Sequence, residues 1–313
     1  MDTTPISRRE SIKKLLKLSG GIALGSAVGA AHRPTAGLAS PGKGKFIVEG
    51  IGQTEGYDIK ALTRKVFDTA GGMKAFISKG DVVAVKPNLS WARRPQLAAT
   101  TNPEVLKAVV ELCQEAGAKK VRIVDNTIQN ARRCFAISGA GAVAKSTGAE
   151  IVFPRSSMMR DRNLQGHRLT IWPVFVPVTE ADKLINLPVA KHHSLSGLSL
   201  GMKNWIGAVG GRRNALHQDI HPTIVDLAQY FKPTLTLIDG IRIMVRNGPS
   251  GGRESDVATT NRLILSNDPV AADSRAAAYF DVRPEQLGFI RLAEKWGLGT
   301  SDTNDVDNRR VTL

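Results

Sequence analysis

The feature of this sequence that most restricts its fold is a strand, turn, helix, glycine, strand order in its first half. Val82-Val83-Ala84-Val85 is an uninterrupted apolar run of the kind buried on both faces of a parallel sheet. Asn102-Pro103-Glu104 then opens a helix, with Asn as cap and Pro at the first helical position. Val105, Leu106, Val109, Val110 and Cys113 recur at helical spacing, and Gly117 ends the segment. Val121–Val124 is the next apolar run. Two strands joined in this way run parallel, as a βαβ unit. The fold class expected is α/β: a mostly parallel β-sheet flanked by helices, in one body or as two lobes with a cleft.

The same alternation continues on both sides. Phe46–Glu49 reads as a short strand, and Ile59, Leu62, Val66 and Ala70 as a helical stripe. Leu169 to Val178 alternates and carries Pro173 and Pro177, which marks an edge strand or hairpin arm. Leu184–Leu187, Leu235–Ile238 and Leu263–Leu265 read as strands, and Thr223–Phe231, Pro269–Phe280 and Pro284–Trp296 as helices. Ser196–Val209 is expected as a small-residue helix. Residues 46–300 form the α/β domain in this reading, and residues 301–313 a loose polar tail.

The amino terminus reads as an address. Arg8, Arg9, Lys13, Lys14 and Lys17 precede a weakly apolar stretch ending in small residues, Val28-Gly29-Ala30. Ser7-Arg8-Arg9-Glu10-Ser11-Ile12-Lys13 resembles the twin-arginine export motif, with Ser11 in place of the usual Phe. Residues 1–31 are thus expected to be a signal peptide read by the twin-arginine machinery, and residues 32–45 a linker. The resemblance implies a periplasmic or otherwise exported protein that crosses the membrane folded. No run of about eighteen apolar residues occurs, so no stable membrane span is expected. Without residues 1–31, 38 basic residues still face 26 acidic ones. That bias fits attraction to an anionic envelope surface or a basic cleft for a small acidic ligand, and no nucleic-acid partner is expected. Two cysteines exclude a disulfide scaffold and a four-cysteine cluster, and Cys113 and Cys134 are expected as free thiols.

Ligands of parallel α/β sheets bind beyond the carboxyl ends of the strands. Lys86-Pro87-Asn88, Asp125-Asn126, Lys191-His192-His193, Asp239-Gly240 and Asn267-Asp268 all follow expected strands. Four of six histidines, His192, His193, His217 and His221, lie within thirty residues. Imidazole both ligates metals and titrates near neutral pH. In an extended segment His217, Asp219 and His221 would share one face. No zinc-protease motif, no Cys/His zinc pattern and no P-loop occurs. Gly197-Leu198-Ser199-Leu200-Gly201 has the form of a hydrolase nucleophile elbow, but no histidine follows His221 and no strand leads directly into Ser199. Gly50-x-Gly52-x-x-x-Gly56 is one residue too long for a dinucleotide fingerprint and reads as a turn. The Gly248-Pro249-Ser250-Gly251-Gly252 segment reads as a mobile loop placed to cover the strand ends.

Several segments together resemble the domain-of-unknown-function 362 family. They are Lys86-Pro87-Asn88-Leu89, Thr100-Thr101-Asn102-Pro103-Glu104-Val105, Asp125-Asn126, Leu187 to His193, Met202-Lys203-Asn204-Trp205-Ile206-Gly207, Arg213 with His217, Asp239-Gly240, and Asn267 to Asp273. A fainter likeness, His193, Ser196-Gly197, Lys203 and His217, is similar to the nickel-pincer lactate racemases. That likeness implies Lys203 as cofactor anchor, His217 as nickel ligand and His193 as proton shuttle. Asn88 and Asp125-Asn126 depart from its pattern, leaving a substrate-clamping arginine and one histidine unmatched.

These readings define one expected polar pocket. His193, Lys203 and Asp239 are expected to carry chemistry. Lys86, Asn88, Asp125, Lys191 and Asn204 are expected to bind a cofactor, and His217 with His193 a metal, either a divalent ion or a nickel-type cofactor. The function expected is a metal- or cofactor-dependent enzyme on a small anionic substrate, of isomerase or oxidoreductase type. The alternatives are a periplasmic metal- or ligand-binding or maturation protein without turnover, and a serine hydrolase built on Ser199.

Overall fold

A computed structural model describes residues 44–53 and 56–313. The expected signal peptide, and all but the last two residues of the expected linker, lie outside the described residues.

The apolar runs supply most strands of a sheet that has ten strands among the described residues. Its members are β1 (Phe46–Ile51), β2 (Val82–Pro87), β3 (Lys120–Val124), β4 (Glu150–Val152), β7 (Lys183–Leu187), β8 (Val189–His193), β9 (Gly197–Ser199), β10 (Leu235–Met244), β11 (Val257–Ser266) and β12 (Asp307–Thr312), while β5 (Met159–Asn163) and β6 (Ile171–Phe175) pair as a separate hairpin. The main order is β12-β1-β11-β10-β7-β2-β3-β4, with β8 branching from β10 and β9 pairing β8. Strands β10, β7, β2, β3 and β4 run parallel, as do β12 with β1 and β8 with β10. Strand β11 is antiparallel to both its neighbours, and β9 to β8. The mixed α/β architecture with a mostly parallel sheet is the one expected.

Among the described residues eight helices flank it: α1 (Ile59–Thr69), α2 (Pro103–Glu115), α3 (Ala131–Ile137), α4 (Ala140–Thr147), α5 (Val176–Thr179), α6 (Ile220–Phe231), α7 (Pro269–Ala277) and α8 (Gly288–Lys295). Side chains of a strand alternate between faces, so β2 feeds two cores. Val83 and Val85 pack with Leu62 and Phe67 of α1 and Leu106 and Val109 of α2. Ala84 belongs to the opposite core, with Trp205, Ile224 of α6, Val270 of α7 and Phe289 of α8. The caps read from the sequence are made. Asn102 accepts the amide of Glu104, and Asp268 those of Val270 and Ala271. Each such cap contributes about 1 kcal/mol.

Two expectations are corrected. The tail is not loose: β12 runs parallel to β1 from Asp307 beside Phe46 to Thr312 beside Ile51. Arg310 of this strand reaches the buried carboxylate of Glu49 at 3.1 Å. Ser196–Val209 is not an α-helix; it comprises β9 and a 3-10 helix, Met202–Ala208. His192 and His193 end a further strand, β8, that the sequence reading did not include. Cys113 and Cys134 are buried free thiols. Among the described residues no helix is long and apolar enough to cross a membrane.

Candidate functional site

The 3-10 helix Met202–Ala208 crosses the carboxyl ends of three parallel strands and carries Lys203 and Asn204 to them. Asn186 of β7 donates to the Gly201 carbonyl at 2.9 Å. Asn204 donates to Asn186 Oδ1 at 2.9 Å and to the Lys86 carbonyl, at the end of β2, at 3.1 Å. The amide of Asn126, beyond β3, donates to the Gly207 carbonyl at 2.7 Å. The start of the helix is held by Asp273 of α7, whose carboxylate accepts the amides of Gly201 at 2.7 Å and Met202 at 3.0 Å. Glycine is required at two points of contact. A Cβ on Gly201 would lie 2.7 Å from Asp273 Oδ1, and one on Gly207 would lie 2.3 Å from Asp125 Oδ1.

Lys86 and Asp125 form the floor. Lys86 Nζ lies 2.6 Å from Asp125 Oδ1 and also donates to the Pro87 carbonyl at 2.9 Å and Asn204 Oδ1 at 3.2 Å. All three ammonium donors are satisfied. The other Asp125 oxygen accepts the Leu89 amide at 2.7 Å. Asn88 donates to Asn204 Oδ1 at 3.2 Å and accepts from Lys191 Nζ at 3.1 Å. Lys191 also donates to the Ala99 carbonyl at 2.6 Å. Burial pushes the Lys191 ammonium down to about 7, with Lys203 adding to the effect.

Lys203 is different. Its side chain is only 8% exposed, yet among the described residues its ammonium makes neither a hydrogen bond nor an ion pair. Burial alone pushes it down to about 7. Its charge is felt by both His193 and His217. The two imidazoles stack 5.8 Å apart at 20°. Burial first, then Lys203, brings His193 down to about 3 and lowers His217 as well. Their tautomers follow from their partners. His193 Nδ1 accepts the amides of Leu195 and Ser196, both at 3.3 Å, so its proton sits on Nε2. His217 Nδ1 faces the Arg213 carbonyl at 3.2 Å, so it donates there and leaves Nε2 a lone pair. One neutral ring therefore offers a proton and the other can take one.

Eight of the nine expected pocket residues are linked in this way: Lys86, Asn88, Asp125, Lys191, His193, Lys203, Asn204 and His217. Asp239 is not. Its oxygens accept the amides of Asn102 at 2.7 Å and Ile241 at 3.1 Å, which anchors the start of α2 to β10. The expected extended face of His217, Asp219 and His221 does not form either. His217 ends the 3-10 helix Arg213–His217, while His221 lies in α6 and packs against Phe289. Ser199 sits on β9 opposite Lys191, with no elbow. The glycine-rich loop lies against β8, where the Gly248 amide donates to His192 Nδ1 at 3.2 Å.

The donor set does not fit a metal held by protein ligands alone. His193 and His217 come together, but no group of three or more His, Cys, Asp or Glu side chains able to hold a metal occurs among the described residues. Lys86, Lys191 and Lys203 are all buried, and the Asp125 carboxylate pairs with Lys86, a balance that favours an anion over a cation. A cavity of about 360 Å³ opens elsewhere, lined by Ala228, Lys232, Pro233, Asn267, Pro269 and Trp296, and shares no lining residue with the cluster.

Sequence reasoning missed the supports of this site. Asn186 is a polar residue flanked by the apolar Leu184, Ile185 and Leu187 of β7, and that anomaly was its signal. Asp273 occupies an unremarkable helical position, and Arg213 holds the Asn126 and Thr127 carbonyls from a distant segment.

Fold and site together define an α/β protein with a lysine- and histidine-rich centre at the carboxyl ends of parallel strands. Residues 83–278 match the family described as Domain of unknown function (DUF362), and the chain belongs to that family. It is 30% identical over 254 residues to the thylakoid-associated protein sll1697 of Synechocystis sp., across 78% of this chain and 77% of that one. A solved structure, the lactate racemase apoprotein from Thermoanaerobacterium thermosaccharolyticum, is similar over 75% of this chain at 13% identity and a TM-score of 0.45. The chain spans 56% of that protein's length, and nothing of its chemistry is carried across.

Proposed function

We propose that the chain is an enzyme that binds a small organic anion beside Lys203 and moves a proton between that anion and the His193–His217 pair. The observation that carries this reading is Lys203 itself, a largely buried lysine whose amine finds no counter-charge among the described residues, next to two neutral imidazoles of opposite tautomer. Such an ammonium is unfavourable until an anion joins it. A neutral His pair offers general acid and general base together, which is the requirement of an isomerase-type proton transfer. The reaction so described asks for no metal held by the protein's own side chains.

The test is solvent exchange. A panel of short 2-hydroxy and 2-oxo acids is incubated with the protein in heavy water, and carbon-bound deuterium is read by NMR. Exchange that is lost in His193→Gln and His217→Gln supports the reading. Absence of exchange together with absence of binding for the whole panel overturns it.

We also propose that residues 1–31 direct export through the twin-arginine machinery to the periplasm or beyond. The paired Arg8 and Arg9 ahead of a weakly apolar, small-residue stretch support this. Fusion of residues 1–45 to a reporter, with Arg8→Lys and Arg9→Lys together as the comparison, tests it. Equal export of both fusions contradicts it.

A further inference from the structure

We propose that Lys203 is a nucleophilic amine that condenses with the carbonyl group of a small 2-oxo or aldehydic acid to form an imine; this rests on the small-anion reading of the same centre. Three lysines are buried together here, and their surroundings sort them. Lys86 gives its ammonium to three acceptors, one of them a carboxylate. Lys191 gives two hydrogen bonds, to a carbonyl and an amide oxygen. Lys203 gives none among the described residues, although the residue is only 8% exposed.

Nor, among the described residues, is a carboxylate left over to hold Lys203 as an ammonium. Asp125 is committed to Lys86 and the Leu89 amide, Asp273 to the Gly201 and Met202 amides, and Asp239 to the Asn102 and Ile241 amides. A buried amine without partners is less costly neutral than charged, and the neutral amine is the nucleophile. Its downward shift to about 7 agrees. Lys86 and Lys191 are occupied as hydrogen-bond donors, so the chemistry falls to Lys203.

The step balances without an oxidant or reductant. The Lys203 Nζ lone pair attacks the carbonyl carbon and the C=O π pair moves to oxygen. A proton passes from nitrogen to that oxygen, with His217 Nε2 able to accept it and His193 Nε2–H able to supply one. The nitrogen lone pair then closes the C=N bond as the C–O bond breaks, and the departing hydroxyl takes the second nitrogen proton, so that water leaves and a neutral imine remains. Amine and carbonyl become imine and water. The surplus of basic side chains selects a carbonyl compound that also bears negative charge.

The experiment is reductive trapping. The full chain is incubated with pyruvate or glyoxylate and sodium cyanoborohydride, and adducts are located by intact mass and peptide mapping. A single adduct on the Lys203 peptide of the wild type, ahead of any surface lysine, and its loss in Lys203→Arg, supports the proposal. Folded wild-type protein that gives no adduct, or adducts spread over surface lysines, overturns it; this reading needs no variant to fold. Binding of glycolate, which has no carbonyl, is measured in parallel by calorimetry. Glycolate binding without trapping overturns the imine alone. Absence of both overturns the small-anion reading as well.

Discussion

Lys86 Nζ lies 2.6 Å from Asp125 Oδ1, with both side chains wholly buried. Breaking such a pair leaves an uncompensated charge in a medium that solvates it poorly. Asp125→Asn keeps the shape and removes the charge. Unfolding by urea is expected to show a loss of about 3–5 kcal/mol. The double variant Lys86→Met with Asp125→Leu is expected to lose less than Asp125→Asn. An unchanged midpoint in Asp125→Asn would contradict the role assigned to the pair.

Gly207 lies against the same pair. A Cβ there would stand 2.3 Å from Asp125 Oδ1 and 2.8 Å from Lys86 Nζ. Neither atom can yield without breaking its own bonds, so Gly207→Ala is expected to lower stability by about 1–3 kcal/mol. Gly252→Ala, which would meet nothing within 4 Å, is the control and is expected to melt as the wild type does.

Asp273 positions Lys203 without touching a ligand. Asp273→Ala strands the amides of Gly201 and Met202, each costing about 1–3 kcal/mol when unsatisfied. Glycolate binding is expected to weaken along with stability, because the 3-10 helix that presents Lys203 loses its tether. Weakened stability with unaltered binding would show that Asp273 serves the fold alone.

Stability should rise with pH above neutrality. Lys191 and Lys203 release their protons near 7 in the folded protein, because burial disfavours the ammonium, and near 10.5 in the unfolded chain. Between those values the unfolded chain binds more protons, so raising the pH favours folding, by at most about 1.4 kcal/mol per group per pH unit. Cys113, whose thiol burial pushes upward from 9.0, opposes this above pH 9.0. The melting temperature is therefore expected to climb from pH 7 to pH 9, and less steeply in Lys203→Met. A flat or falling trend in the wild type would contradict the burial of two titrating amines.

Local patterns carried most of the fold. Val82–Val85 and Val121–Val124 were legible as strands because continuous apolar runs need no distant partner to be recognised. Asn102-Pro103 and Asp268-Pro269 announced helices because capping is made within a few residues. Strand β12 was not legible. Asp307-Asn308-Arg309-Arg310 reads as solvent-loving tail, and only pairing with β1 and the Arg310–Glu49 contact make it a strand. Strand β8 was hidden for the opposite reason: Lys191, His192 and His193 are polar because they belong to the site, which masks the β pattern. Asp239 was misread because strand-end position does not reveal that backbone amides take both oxygens.

The central claim is that His193, Lys203 and His217 form one binding centre for a small anion. Its most direct test is the NMR spectrum of histidine-labelled protein titrated with glycolate. The account predicts saturable shifts of the His193 and His217 imidazole signals, none at His167, which stacks on Trp296, and loss of the response in Lys203→Met. Unmoved His193 and His217 signals, or identical titrations of wild type and Lys203→Met, would contradict it.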